Sequence, residues 1–293
     1  MVTDRMITVS NRRESLVLTA PPFYVENISG FDSLDVRIVT SQGFGQDGSS
    51  LVNVYTEQRA MKIEGAISAA ATGQMQALRS AILNLFMPKE KLTIKHSYGG
   101  ITRTITAYAE KTPAFKFTKV SRIQTYAVNM TATDPFWYED GNSLVEMAST
   151  KGAFRFALAI PVRRGVIFGR KSTSKIASLP NRSAVKLGMT ITFTAKGEVV
   201  NPYVLNVYTR ECMRLNCVMR AGQTVTITTG QDKAADSRIN GVSEDYIGYV
   251  DIAGGNGIFL ELDVGDNLLR YGADGGEEYL AVKFVYSNKY IGV

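Results

Sequence analysis

The sequence predicts a mainly β protein, an α+β domain followed by an all-β domain, and three observations carry that reading. Period-two alternation of apolar and polar residues recurs along the chain, glycine-rich or Asp/Asn-rich breaks separate the alternating runs at fairly even spacing, and one segment alone follows a helical period. Short, evenly spaced strands point to sandwiches or barrels and away from a doubly wound parallel sheet.

The alternating runs come in order. Leu34, Val36 and Ile38 alternate with Asp35 and Arg37 in a strand expected over 34–40. Leu92 and Ile94 are followed, across Tyr98-Gly99-Gly100, by Ile101, Arg103 and Ile105 with threonines between them, which reads as a β-hairpin. Later, the runs from Met189, Val225, Ile258 and Leu280 repeat the pattern. Between Ala66 and Phe86 the apolar residues Ile67, Ala70, Ala71, Met75, Leu78, Ile82, Leu85 and Phe86 recur at three- and four-residue steps until Pro88. That spacing predicts one amphipathic helix of about five turns covering a sheet face.

A boundary falls near residue 138. The strand-like run from Gln124 ends at Asp134-Pro135-Phe136-Trp137-Tyr138, where proline removes a ladder donor and a turn-rich Glu-Asp-Gly-Asn follows. The domains are therefore placed at 1–138 and 139–293. The 45% apolar content of the 293 residues supports real cores. No run of about 18 apolar residues occurs, and the charged start lacks the apolar stretch of a secretion signal, so neither a membrane span nor signal-peptide export is expected. Two cysteines and one histidine cannot make a disulfide framework or a zinc site. The net charge of +6 is spread out, its densest cluster being Arg163, Arg164, Arg170 and Lys171, which does not read as a nucleic-acid patch.

Catalytic signals are thin. Gly43-Phe-Gly45-Gln-Asp-Gly48 satisfies GxGxxG, but Leu51-Val-Asn-Val-Tyr-Thr continues extended where a dinucleotide site needs a helix. In Gly165-Val-Ile-Phe-Gly169-Arg-Lys171-Ser172, Arg170 stands where a P-loop requires glycine. His96 shares strand parity with Leu92 and Ile94 and reads as a packed or rim residue. Cys212 and Cys217 read as small core residues. The adjacent acids Glu139-Asp140, Glu244-Asp245 and Glu277-Glu278 point apart on a strand or out to water on a turn, which does not suit glycoside hydrolysis. No catalytic residue, metal or cofactor is assigned. Trp137, in the aromatic group with Phe136 and Tyr138, is a candidate sugar-stacking residue whose alternative is a hydrophobic plug at the domain junction. Tyr246 and Tyr249, between Asn240-Gly241 and Gly254-Gly255, are candidate glycan contacts.

In order along the chain, Ile28-Ser-Gly-Phe-Asp, Leu34-Asp-Val-Arg-Ile-Val-Thr, the Gly-Gln-Asp-Gly turn, Arg59-Ala-Met-Lys-Ile-Glu-Gly, one helix and Asp134-Pro-Phe-Trp-Tyr resemble the distal tail proteins (Dit) of long-tailed, siphovirus-type bacteriophages. Gly188-Met-Thr-Ile-Thr-Phe, Asn201-Pro-Tyr-Val-Leu-Asn-Val-Tyr, Gly222-Gln-Thr-Val-Thr-Ile, Arg238-Ile-Asn-Gly and Leu262-Asp-Val-Gly-Asp-Asn resemble the galectin-like, jelly-roll sandwich that follows in that family. The acidic, glycine-rich Tyr271-Gly-Ala-Asp-Gly-Gly-Glu-Glu departs from it. The resemblance implies a non-enzymatic virion protein at the tail tip, made in the host bacterial cytoplasm. Six copies would form a ring, joining the major tail protein to the tail-associated hub protein and docking receptor-binding proteins. DNA would pass its channel without specific binding. The alternative is a carbohydrate-binding module adhering to the host wall; a wall-degrading hydrolase is a third reading.

Overall fold

The protein is described from a computed structural model covering residues 5–116, 122–147, 150–152, 169–171, 175–230, 233–251 and 259–293. The chain divides into two compact units, Met1–Asp140 with Lys289–Val293, and Gly141–Asn288. It is mainly β, and each unit builds its own apolar core.

The first unit contains β1 (Arg5–Ser10), β2 (Ser15–Val17), β3 (Phe23–Ser29), β4 (Val36–Ser41), β5 (Ser50–Thr56), β6 (Arg59–Ser68), α1 (Met75–Leu85), β7 (Lys91–Tyr98), β8 (Ile101–Ala109), β9 (Ala114–Phe115), β10 (Ile123–Ala132) and β11 (Trp137–Glu139). Its main sheet runs β2-β1-β7-β8-β10-β6-β3, antiparallel throughout. Period two is written into it: Ile7 and Val9, Met61 and Ile63, Leu92 and Ile94, Val128 and Met130 are all buried while their neighbours are not. The expected hairpin is β7–β8, Tyr98 paired with Ile101. Its Gly99-Gly100 turn has φ of 56° and 79°, a pair of left-handed residues that glycine adopts without strain.

The helix is shorter than its periodicity predicts. It spans Met75–Leu85, because Ala66, Ile67 and Ser68 are taken into β6, paired with Thr125, Gln124 and Ile123 on one side and, for the first two, with Tyr24 and Phe23 on the other. A strand laddered on both edges outcompetes the local helical pattern. What remains of the apolar stripe packs as intended, with Ile82, Leu85 and Phe86 joining the sheet residues in one core.

Among the described residues β4 and β5 pair only with each other, through a ribbon with a bulge at Val39 and Thr40. The strand expected over 34–40 begins two residues later, at Val36. The glycines of the GxGxxG pattern lie in the loop that joins the two strands.

The second unit is a sandwich of two antiparallel sheets. Its strands are β12 (Ser143–Met147), β13 (Thr150–Gly152), β14 (Gly169–Lys171), β15 (Ile176–Asn181), β16 (Thr190–Ala195), β17 (Val199–Val200), β18 (Tyr203–Asn206), β19 (Cys212–Arg214), β20 (Val218–Met219), β21 (Thr224–Thr228), β22 (Ala234–Ile239), β23 (Val242–Asp245), β24 (Gly265–Gly272) and β25 (Leu280–Tyr286). One sheet runs β12-β25-β16-β21-β22-β23 and the other β15-β24-β18-β19. Ile191, Phe193, Ile227 and Phe284 from the first meet Leu179, Val204, Met213 and Leu269 from the second in a single core. The run from Ile258 is not the strand its alternation suggests. Ile258 itself lies outside the described residues, and of the rest only Leu262 makes a ladder contact, an isolated bridge to Leu187.

The last strand, β26 (Lys289–Tyr290), returns to the first unit, where Trp137 pairs with Tyr290 and Tyr138 with Lys289. The second domain therefore does not continue to residue 293 as the sequence reading has it. A boundary drawn from a composition shift has no means of seeing a strand that leaves one unit and pairs in the other.

Replacing Ile82 by alanine is expected to cost about 2–5 kcal/mol, the usual price of emptying a filled aliphatic site. Thermal unfolding followed by circular dichroism reads it as a lowered transition for the first unit, with the sandwich transition unmoved.

Candidate functional site

At the heart of the first unit lies a clamp built on Arg59, the first residue of β6. Its side chain is buried, and it faces backbone rather than carboxylate. Nη1 donates to the carbonyls of Gly30, Phe31 and Ser33 at 2.8, 3.0 and 2.9 Å; Nε donates to Pro135 O at 2.6 Å; and Nη2 donates to Ile291 O. Burial pushes its pKa down while Asp32 and Asp35 push back, and the charge is met by carbonyl dipoles from three separate segments.

Trp137 packs beside this clamp. It is fully buried, donates Nε1 to Phe31 O at 3.0 Å and stacks obliquely on Phe31 at 5.4 Å. The expectation that it stacks on a sugar is therefore corrected, since an indole with no exposed face cannot receive a ring. Strand β11, held between β8 and β26, turns it inward. His96 completes the aromatic cluster at 6.1 Å from Phe31 and 6.3 Å from Trp137. Its Nε2 is buried with no partner among the described residues, and burial, reinforced by Arg5 and Arg103, pushes its pKa down against the pull of Asp32. This is a core histidine whose burial favours the neutral form.

The C-terminal segment is fastened to the same region. Arg103 donates to Gly292 O and lies 4.1 Å from the Tyr290 ring centre, and Lys289 pairs with Asp134 at 3.2 Å. Beside it opens a mostly apolar pocket of about 80 Å³, lined by His96, Tyr98, Ile101, Arg103 and Val293.

In the second unit the other two candidates do come together. Tyr246 and Tyr249 lie with ring centres 4.5 Å apart around a short 3-10 turn, Ile247–Tyr249. Asp245 accepts from the Ile247 amide at 2.9 Å, and the Tyr246 hydroxyl accepts from Gln223 Nε2 at 3.0 Å. Tyr249 is 44% exposed, so one ring of the pair offers a face to solvent. The Gly254-Gly255 flank lies outside the described residues, as do Arg163, Arg164, 165–168 and Ser172; Gly169–Lys171 forms β14, paired with β13.

The adjacent acids are engaged with neighbours. Asp140 pairs with Lys95 at 2.9 Å and Glu277 with Lys175 at 2.9 Å, while Asp245 holds the turn just described. Cys212 and Cys217 are free, half-buried thiols whose pKa burial raises, the opposite of what a nucleophile needs. Among the described residues no cluster of His, Cys, Asp or Glu has the makings of a metal site. The Arg59 clamp escaped sequence reasoning because its partners are carbonyls, which carry no side-chain signature.

Two measurements test the clamp and the cluster. Arg59→Met strands several buried carbonyls and is expected to cost more than about 3 kcal/mol, read as a large drop in the first unit's melting temperature. Because the folded state holds His96 below its ordinary pKa of about 6.5, the unfolded chain binds the extra proton, so first-unit stability is expected to fall as pH drops below 6.5. Urea titrations between pH 7 and 5 check this, and His96→Gln should flatten that slope, no other side chain having an ordinary pKa in the window.

No protein-family model and no curated protein matches this sequence. Solved structures do. SPP1 Dit (gp 19.1), described as a paradigm of the hub adsorption apparatus in phages that infect Gram-positive bacteria, superposes with a TM-score of 0.66 at 12% identity, over 97% of this chain and 98% of that one. A chain of the phage P2 baseplate in its activated conformation with Ca gives 0.60 at 10% identity over 100% of both, and one with Sr gives 0.59 at 10% over 99% of both. The likeness spans both units, and the chain has the fold of phage Dit and baseplate proteins.

Proposed function

We propose that this protein is a structural component of a phage tail tip, assembling as a hexameric ring between the tail tube and the tail-associated hub protein. The observation that carries the reading is the whole-chain likeness of both units, in order, to SPP1 Dit and to the P2 baseplate chain. In this reading the first units line the ring and the sandwiches face outward to dock receptor-binding proteins. One surface of each copy meets a different surface of the next, the kind of interface that closes into a ring. Such a role calls for no catalysis, and it is supported by acids tied to lysines and thiols held protonated. The bore must let DNA slide, and every phosphate gripped would add salt-dependent affinity; a modest, scattered positive charge suits passage without specific binding.

A second reading rests on the tyrosine pair. The exposed face of Tyr249, backed by Tyr246, would give the sandwich a small stacking platform for a cell-wall sugar.

Light scattering over a concentration series to about 10 mg/ml separates them. The ring predicts a climb toward six times 32.1 kDa, and a strict monomer that joins no assembly with hub or tube protein would overturn it. The sugar reading predicts glycan binding that Tyr249→Ala weakens by about tenfold, the loss expected for one stacked ring. Glycan arrays showing no binding by the full chain would sink it.

A further inference from the structure

We propose that the pocket beside His96 and Arg103 is a binding site for a small carboxylate, an acetate-sized anion held by those two side chains. The inference is independent of the ring reading, because every residue it uses belongs to the first unit of a single chain.

The pocket forms where the β7–β8 hairpin meets the C-terminal segment. Tyr98 pairs with Ile101 at the end of the hairpin, and His96 pairs with Arg103 two residues further in, so the four share one face of it. Val293 supplies lining from the other side.

Two atoms there are out of keeping with their surroundings. His96 is only 2% exposed, and neither its Nε2 nor the buried Nε of Arg103 has a partner among the described residues. Buried nitrogens of this kind are rare, because each has given up its hydrogen bond to water, and two on residues that line one pocket point to a ligand that completes them. The rest of the Arg103 side chain is engaged. Nη1 donates to Gly292 O and the guanidinium lies over the Tyr290 ring at 4.1 Å, contacts that fix the group and leave Nε over.

Charge and donor chemistry select the ligand. Arg5 and Arg103 both act on His96 with positive charge while Asp32 pulls the other way, and Arg5 sits over the Tyr98 ring at 5.2 Å. The balance favours an anion. A guanidinium N–H can only donate, and an imidazole protonated at Nε2 supplies a second donor, so the ligand must offer two acceptors, as the oxygens of one carboxylate do. Size narrows the choice further. At about 80 Å³ the pocket has roughly half the ~150 Å³ that takes the six carbons of benzene, room for three or four heavy atoms. Acetate has four, and its methyl group would rest against the Tyr98, Ile101 and Val293 lining, where an inorganic anion has nothing to bury.

The chain reports on this site by itself, having one histidine and one tryptophan, with the Trp137 ring 6.3 Å from that of His96. The full chain is titrated at pH 7 with sodium acetate, with sodium chloride at matched ionic strength and with acetamide, following Trp137 fluorescence and the His96 ring resonances by NMR. Acetate is expected to shift both saturably at millimolar concentrations, within reach of so small a ligand, and to raise the melting temperature of the first unit by binding its folded form. Chloride, which lacks the shape, and acetamide, which lacks the charge, are expected to bind at least tenfold more weakly. Ile101→Glu, at a 60% exposed position on the rim, sets a like charge at the mouth and should weaken acetate at least tenfold while keeping wild-type circular dichroism. No saturable response to acetate, an equal response to acetamide or chloride, or undiminished acetate binding by Ile101→Glu overturns the site. None of these outcomes bears on the ring, which is judged by assembly alone.

Discussion

Much of the first unit depends on one guanidinium finding enough acceptors. Arg59 is buried, and a buried cation without partners would cost several kcal/mol and force the region open. Five carbonyls, from the loop at 30–33, from Pro135 and from Ile291, meet it. Among the described residues no carboxylate accepts from it, so none there has to give up its own hydration to neutralise the clamp. The constraint is geometric: three stretches far apart in sequence must arrive together with their carbonyls turned inward. Trp137 shares the Phe31 carbonyl, and the aromatic cluster with His96 fills the space around them. Close packing leaves little slack, since even a Cβ on Gly292 would come within 2.9 Å of the Asp32 carbonyl.

The clamp also explains why the final residues belong to the first unit. A two-residue strand is a weak tether by itself, but the segment gains the Arg59 and Arg103 hydrogen bonds and the Lys289–Asp134 pair, which is only partly exposed and so less screened than a surface bridge. Each contact is modest, and together they fix a short stretch that alone could not hold its place.

How far this was legible in the sequence follows from where each signal resides. Strand parity is local, so the β7–β8 hairpin, its glycine turn and the inward side of His96 could be read directly. The helix was overdrawn because Ile67 sits at a spacing that serves both periods, and only pairing with β3 and β10 decides between them. Phe136-Trp137-Tyr138 is ambiguous in the same way: three aromatics in a row say nothing about which one faces inward until β8 and β26 flank them. Tyr246 and Tyr249, three residues apart, meet because a tight turn brings them together, and that much a loop reading anticipates. Backbone acceptors and a returning strand leave no such trace.

The same clamp bears on the exposed ribbon. The chain leaves the core at Ser33, runs out and back through β4 and β5, and re-enters at Arg59, which donates to Ser33 itself. Both ends of the excursion are thus tied by one side chain, and Glu57 N to Asp35 O closes the base at 2.9 Å. Tying the ends lowers the entropy that an apolar two-stranded element would otherwise lose on ordering, which helps it persist before anything covers it. The bulge at Val39 and Thr40 interrupts the ladder and increases local twist, so the open edges make a poor template for indiscriminate strand addition. A ribbon held at its base, twisted along its length and apolar on both sides is suited to one shaped surface more than to any passing edge.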